Sequence, residues 1–141
     1  MKRKFYILLV AISLCFLYGC GTNSTPEAST DTLAPGPTTY QKISAEQARD
    51  MMDEGEEYIL LDVRTDEEFN EKRIDGAILI PDYEIADRAE AELTNKDALI
   101  LVYCRSGRRS EIAVKELLEL GYTNVFDFGG IIDWPYDTIS G

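Results

Sequence analysis

Three short, unbroken apolar runs constrain the fold of this chain most tightly: Tyr58-Ile59-Leu60-Leu61, Ala77-Ile78-Leu79-Ile80 and Ala98-Leu99-Ile100-Leu101-Val102-Tyr103. A strand with one face in water alternates apolar and polar residues, whereas a strand buried on both faces does not. These runs are therefore expected to be strands of a covered sheet. Helical segments separate them. Ser44 with Gln47 forms a capping box for a helix over about Ala45 to Glu54, stopped by Gly55. Thr65 with Glu68 forms another, for a short helix through about Glu71. Glu84 to Leu93 has helical composition. Ser110 to Leu120 is amphipathic, with Ile112, Ala113, Leu117 and Leu120 on one face and Gly121 as the stop. Val125-Phe126 reads as a last short strand, and Ile131 to Trp134 as a helical turn. Strands alternating with helices predict an α/β domain with a mostly parallel sheet covered on both faces. In such sheets ligands bind outside the carboxyl ends of the strands.

Residues 1–39 read differently. Lys2, Arg3 and Lys4 precede an apolar run of 14 residues, Phe5 to Tyr18, broken only by Ser13. A spanning helix needs about 20 such residues, so the run has the length of a signal-peptide core. It ends in Leu17-Tyr18-Gly19-Cys20, which resembles the lipobox of bacterial lipoproteins. That resemblance implies cleavage before Cys20 and a diacylglyceryl thioether on its sulfur. The alternative is an uncleaved N-terminal anchor. In both cases the remainder is exported, because the basic end stays inside. The expected organisation is a signal peptide over 1–19, a flexible tether over 20–39 rich in Ser, Thr and Pro, and a folded domain over 40–141. The domain would be lipid-anchored to the cell membrane and face its extracytoplasmic side. Loss of the signal peptide takes the net charge from -12 to -15. So acidic a surface does not favour adsorption to anionic lipid, which leaves the acyl chains to hold the protein.

Charge and composition also exclude chemistry. An excess of 26 acids over 14 bases speaks against a nucleic-acid partner. The absence of histidine removes the Ser-His-Asp triad, the Cys-His dyad and His-ligated zinc. Cys15, Cys20 and Cys104 are too scattered for a four-cysteine metal site or a disulfide framework. No metal and no cofactor is expected.

Cys104 directly follows the strongest predicted strand, Ala98 to Tyr103. Arg105, Ser106, Gly107, Arg108 and Arg109 come next, and Ser110 opens a helix. The amides of such a strand-loop-helix unit converge above the helix N-terminus, where an anion is favoured. Three arginines in five residues supply a positive field in an otherwise acidic chain. Without a histidine base, that field is the available means of activating the thiol. Arg109 in particular is expected to face a bound anion, and Ser106 to act as a loop spacer. The competing reading is a buried core thiol beside three solvated arginines.

These residues resemble a single-domain rhodanese. Cys104-Arg105-Ser106-Gly107-Arg108-Arg109 is similar to the six-residue active loop of that family. Asp62-Val63-Arg64-Thr65-Asp66-Glu67-Glu68-Phe69 resembles its upstream segment, Ile74-Asp75-Gly76-Ala77 its following turn, and Gly129-Gly130 with Trp134 its C-terminal end. The likeness runs from about Tyr40 to Tyr136. It implies a three-layer α/β/α domain around a mostly parallel five-stranded sheet. It also implies a sulfurtransferase. The Cys104 thiolate would take the outer sulfur of a small anion such as thiosulfate and pass it to cyanide or a thiol. The substrate-binding residues would be Arg105, Ser106, Gly107, Arg108 and Arg109; a protein acceptor stays open. Asp62 and Arg64 read as structural, with Arg64 expected to pair with Glu67 or Glu68. Two other classes remain: a cysteine-based phosphatase or arsenate reductase, and a non-catalytic module that carries persulfide or binds a partner. The phosphatase loop commonly places an arginine six residues after its cysteine, where this chain has Ser110.

Overall fold

The computed structural model describes residues 39–141. The expected signal peptide, the lipidation site at Cys20 and nearly all of the tether lie outside them. The strands are β1 (Gln41–Lys42), β2 (Tyr58–Asp62), β3 (Ile78–Leu79), β4 (Leu99–Cys104) and β5 (Val125–Gly130). The helices are α1 (Ala45–Asp53), α2 (Asp66–Glu71), α3 (Ile85–Glu92) and α4 (Arg108–Glu119). Short 3-10 turns occupy Asp82–Glu84 and Ile131–Asp133.

All five strands are parallel and lie in the order β1-β5-β4-β2-β3. Every residue of β4, the middle strand, is buried. The sheet divides two apolar clusters. On one side Leu61, Val63, Ile100 and Val102 pack with Ile85 and Ala89 of α3 and Ala113, Val114 and Leu117 of α4. On the other, Leu60, Leu101, Tyr103 and Phe128 pack with Ala48 of α1 and with Trp134. The three-layer α/β/α arrangement expected from the sequence is present. Each fully buried Leu or Ile contributes about 1.5–3 kcal/mol, so these two clusters dominate the stability.

Both capping boxes form, at Ser44 with Gln47 and at Thr65 with Glu68. Several details differ from expectation. β1 is a polar two-residue strand at the sheet edge, defined only by its pairing with Phe126 and Asp127 of β5. β5 runs on through Asp127 to Gly130, well past Phe126. α4 begins at Arg108, two residues before Ser110, because Gly107 turns the chain with φ +98° and serves as the cap. Its buried face is Ser110, Ala113, Val114 and Leu117, spaced i, i+3, i+4, i+7. Ile112 falls off that stripe and is 48% exposed.

Candidate active site

β4 delivers Cys104 to the carboxyl edge of the sheet, 1% exposed. Its register partner is Gly130, across an irregularity between Val102 and Cys104. Gly107 then reverses the chain, and its N–H points back at the Cys104 Sγ over 3.1 Å. Burial pushes the thiol pKa up. The amides of Ser110, Ser106 and Gly107 and the hydroxyl of Ser110 outweigh it, and the net shift is downward. The thiolate is thus held by fixed dipoles at a helix N-terminus. Ser110 is fully buried, with its Oγ 3.0 Å from the Gly107 carbonyl and 3.3 Å from that of Gly129. A hydroxyl has one proton, so these carbonyls and the thiolate compete for it.

The loop rests on the end of β5. A β-carbon on Gly130 would lie 2.6 Å from the Ser106 Cα, closer than real contacts allow. Ile132 donates its N–H to the Arg105 carbonyl at 3.3 Å. From the other side, Arg109 reaches Glu68 of α2 with both terminal nitrogens, each at 2.8 Å. That guanidinium holds the Glu68 carboxyl down at about 2. Beneath it lies a second pair. Arg64 Nη2 and Nε bond the buried Asp62 carboxylate at 2.6 and 2.9–3.0 Å, and Nη2 also donates to the Lys72 carbonyl at 2.6 Å. The Arg64 guanidinium sits 5.6 Å from the centre of the Tyr103 ring.

The Rhodanese-like domain family matches residues 44–135, well over half of the chain. This chain is a member of that family. It is 36% identical over 81 residues to the thiosulfate sulfurtransferase PspE of Escherichia coli, covering 57% of this chain and 78% of PspE. It is also 36% identical over 124 residues to the putative sulfur carrier protein YrkF of Bacillus subtilis. That match covers 87% of this chain but only 61% of YrkF, so this chain corresponds to part of that protein. A solved structure described as a rhodanese with anions from E. coli superposes with a TM-score of 0.57 at 34% identity. It covers 60% of this chain and all of that one. Rhodanese-like sulfurtransferases are thus the relatives of this domain, and its parallel five-stranded sheet is the rhodanese fold.

Within this rhodanese domain the loop residues read from the sequence come together, in altered roles. Cys104 is the thiol at the base. Ser106 contributes its backbone amide to the thiol. Arg105, Ser106 and Arg108 are exposed at the mouth. Arg109 gives one bond from each terminal nitrogen to Glu68 and also feels the charge of the Cys104 thiolate. Arg64 pairs with Asp62 and not with Glu67 or Glu68, because the carboxylate two residues earlier on the same strand end lies directly beneath it. Burial is the largest single influence on the thiol, and the loop amides and Ser110 together overcome it. Ser110, Glu68 and Gly130 were missed as site residues. Only Ser110 carried a signal: a hydroxyl on the apolar stripe of a helix needs a buried partner.

Beside the loop lies a hollow of about 290 Å³ lined by Arg64, Glu68, Glu71, Lys72, Arg105, Ile131 and Ile132. It opens at the carboxyl edge of the sheet, and Arg105 belongs to both loop and hollow.

Proposed function

We propose that the domain transfers sulfane sulfur from a small anionic donor such as thiosulfate to a thiophilic acceptor through a persulfide on Cys104. The observation that carries this is the buried Cys104 Sγ, facing the amides of Ser106, Gly107 and Ser110, with its pKa lowered. The thiolate attacks the outer sulfur of the donor. The donor S–S bond breaks and sulfite leaves with the electron pair. The terminal sulfur of the persulfide then carries the negative charge that the amides are placed to receive. An acceptor attacks that sulfur, the Cys104 S–S bond breaks, and the thiolate returns. This is covalent catalysis in two steps, with the nucleophile activated by dipoles and not by a neighbouring base. Arg105 and Arg108, exposed at the mouth, draw the anion in.

Incubation with thiosulfate should add one sulfur to the intact mass, cyanide should remove it, and Cys104→Ser should abolish both. A protein that hydrolyses phosphate esters and gains no sulfur would overturn the reading. A second reading, sulfur carriage without turnover, is favoured by the YrkF match across most of the chain. It predicts the same added sulfur, but no multiple-turnover release of sulfite in the presence of cyanide or a thiol.

We further propose that the chain is exported and lipid-anchored through Cys20, which places this chemistry on the extracytoplasmic side of the cell membrane. The support is the basic start, the 14-residue apolar run and Leu17-Tyr18-Gly19-Cys20. A fatty-acid analogue should label the wild type and not Cys20→Ala; an unlabelled wild type released to the medium would contradict the anchor.

A further inference from the structure

Five of the seven residues around the hollow are charged. Two of these are already committed: Arg64 to Asp62 and Glu68 to Arg109. Among the described residues, Glu71, Lys72 and Arg105 make no ion pair. All three are exposed. The hollow therefore presents two free cations and one free carboxylate beside the apolar Ile131 and Ile132.

Both lips are tied down by hydrogen bonds. The Arg64 guanidinium, locked on Asp62, holds the Lys72 carbonyl at 2.6 Å. The Ile132 amide holds the Arg105 carbonyl at 3.3 Å. The two free cations are thus carried on segments whose backbones are tied to their neighbours by hydrogen bonds. The hollow measures about 290 Å³. Cyanide fills a small part of it. An inorganic dianion would satisfy Lys72 and Arg105 but bring its charge to Glu71 and leave the exposed Ile132 uncovered.

We propose that this hollow is an acceptor subsite for small thiols bearing an amino-acid head group. The carboxylate binds between Lys72 and Arg105, the ammonium faces Glu71, and the carbon chain covers Ile132. The inference rests on the sulfur-transfer reading and names its acceptor. The acceptor thiolate attacks the outer sulfur of the Cys104 persulfide and a new S–S bond forms. The bond to the Cys104 Sγ breaks with its electron pair returning to that sulfur. The product leaves as a small persulfide.

Four thiols dissect the charges: cysteine, 3-mercaptopropionate, cysteamine and uncharged 2-mercaptoethanol. Each discharge rate of the preformed persulfide is compared between wild type and variant, so intrinsic nucleophilicity cancels. Lys72→Ala should slow cysteine and 3-mercaptopropionate about threefold to fivefold relative to 2-mercaptoethanol, the range of an exposed charge pair. Lys72→Arg should recover most of that. Glu71→Gln should slow cysteine and cysteamine instead. Variants that change all four thiols by one common factor would overturn the subsite. A second measurement does not need turnover. S-methylcysteine titrated into Cys104→Ser should shift the backbone amide resonances of Lys72, Arg105 and Ile132, and 2-(methylthio)ethanol should not. Equal or absent shifts would overturn the subsite even where the persulfide forms. Shifts in a protein that never gains sulfur from thiosulfate would overturn the transfer reading and leave the subsite in place.

Discussion

Arg109 and Glu68, 41 residues apart, meet as a two-pronged ion pair with both N···O distances at 2.8 Å. Glu68 also accepts the Thr65 N–H at 3.1 Å, so one carboxylate closes the cap of α2 and clamps the first turn of α4. The pair is about one-fifth exposed, which lies between the surface and buried regimes. Arg109→Ala and Glu68→Gln should each destabilise the domain by about 1–2 kcal/mol. The double variant should cost clearly less than the sum, since both remove one interaction. Arg49→Ala, which loses an exposed i,i+4 pair with Asp53 and a contact 5.7 Å from the Tyr136 ring centre, should cost no more than about 1 kcal/mol. Additive losses in denaturant melts would show that the pair is not energetically coupled.

The same pair carries a pH signature. The Glu68 carboxyl is lowered from 4.5 to about 2, chiefly by Arg109. A carboxyl lowered on folding stabilises the native state fully above its unfolded pKa and loses that contribution as pH falls through the folded value. The stability gap between wild type and Glu68→Gln should therefore be constant above about pH 5 and close as pH falls from there toward about 2. A gap unchanged down to pH 2 would mean that the carboxylate contributes nothing through its charge.

The thiol should titrate below the ordinary value of about 8.5, read as alkylation rate against pH. Burial works against this and the Ser110, Ser106 and Gly107 dipoles work for it. Ser110→Ala removes one of those dipoles and leaves the amides, so the midpoint should rise and the rate of persulfide formation at neutral pH should fall. A midpoint unmoved in Ser110→Ala would leave the cradle to the amides alone.

Which parts of this were visible in the sequence follows from where the relevant interactions lie. β2 and β4 were legible because burial on both faces leaves an unbroken apolar run, and both capping boxes because their partners are three residues apart. β1 was not: Gln41 and Lys42 carry no pattern, and they are strand only because Phe126 and Asp127 offer an edge. The loop was legible because a cysteine among arginines after a strand is unusual composition. The commitment of Arg109 was not, because Glu68 arrives through the tertiary fold. The extension of β5 was hidden because aspartate and glycine are poor strand formers that here are held by partners.

Gly129 and Gly130 should fail for different reasons when replaced by alanine. Gly129 has φ +93° and open space at its β-carbon position. Gly129→Ala should therefore cost only the left-handed strain, about 1–2 kcal/mol. At Gly130 the new carbon would meet the Arg105 and Ser106 backbone, which has no flexible end to move aside. Gly130→Ala should cost about 3 kcal/mol and displace the loop, with most transfer activity lost. Equal activity in the two variants would contradict the packing of the loop on β5.

Asp127 gives the most demanding test, because it touches neither thiol nor hollow. It is fully buried and, among the described residues, has no ion pair. Its Oδ2 accepts the Tyr40 hydroxyl at 2.6 Å and its Oδ1 accepts the Gly129 N–H at 2.8 Å. Burial first, and then this carboxylate, push the Tyr40 hydroxyl pKa upward, so that proton stays on the tyrosine. Gly129 in turn presents its carbonyl to the Ser110 Oγ, which faces Cys104. These hydrogen bonds tie Asp127 to the turn whose Gly129 carbonyl faces Ser110. Asp127→Ala leaves two donors unpaired and should cost about 2–4 kcal/mol, at 1–2 kcal/mol for each lost partner. It should also raise the Cys104 alkylation midpoint. Asp127→Asn keeps an oxygen for Gly129 and removes the negative charge, so its midpoint should return to the wild-type value or below. Tyr40→Phe loses only one donor and should lower stability while leaving the midpoint close to wild type. If Asp127→Ala melts earlier but its thiol titrates as in the wild type, Asp127 supports the fold alone and has no part in aligning Ser110.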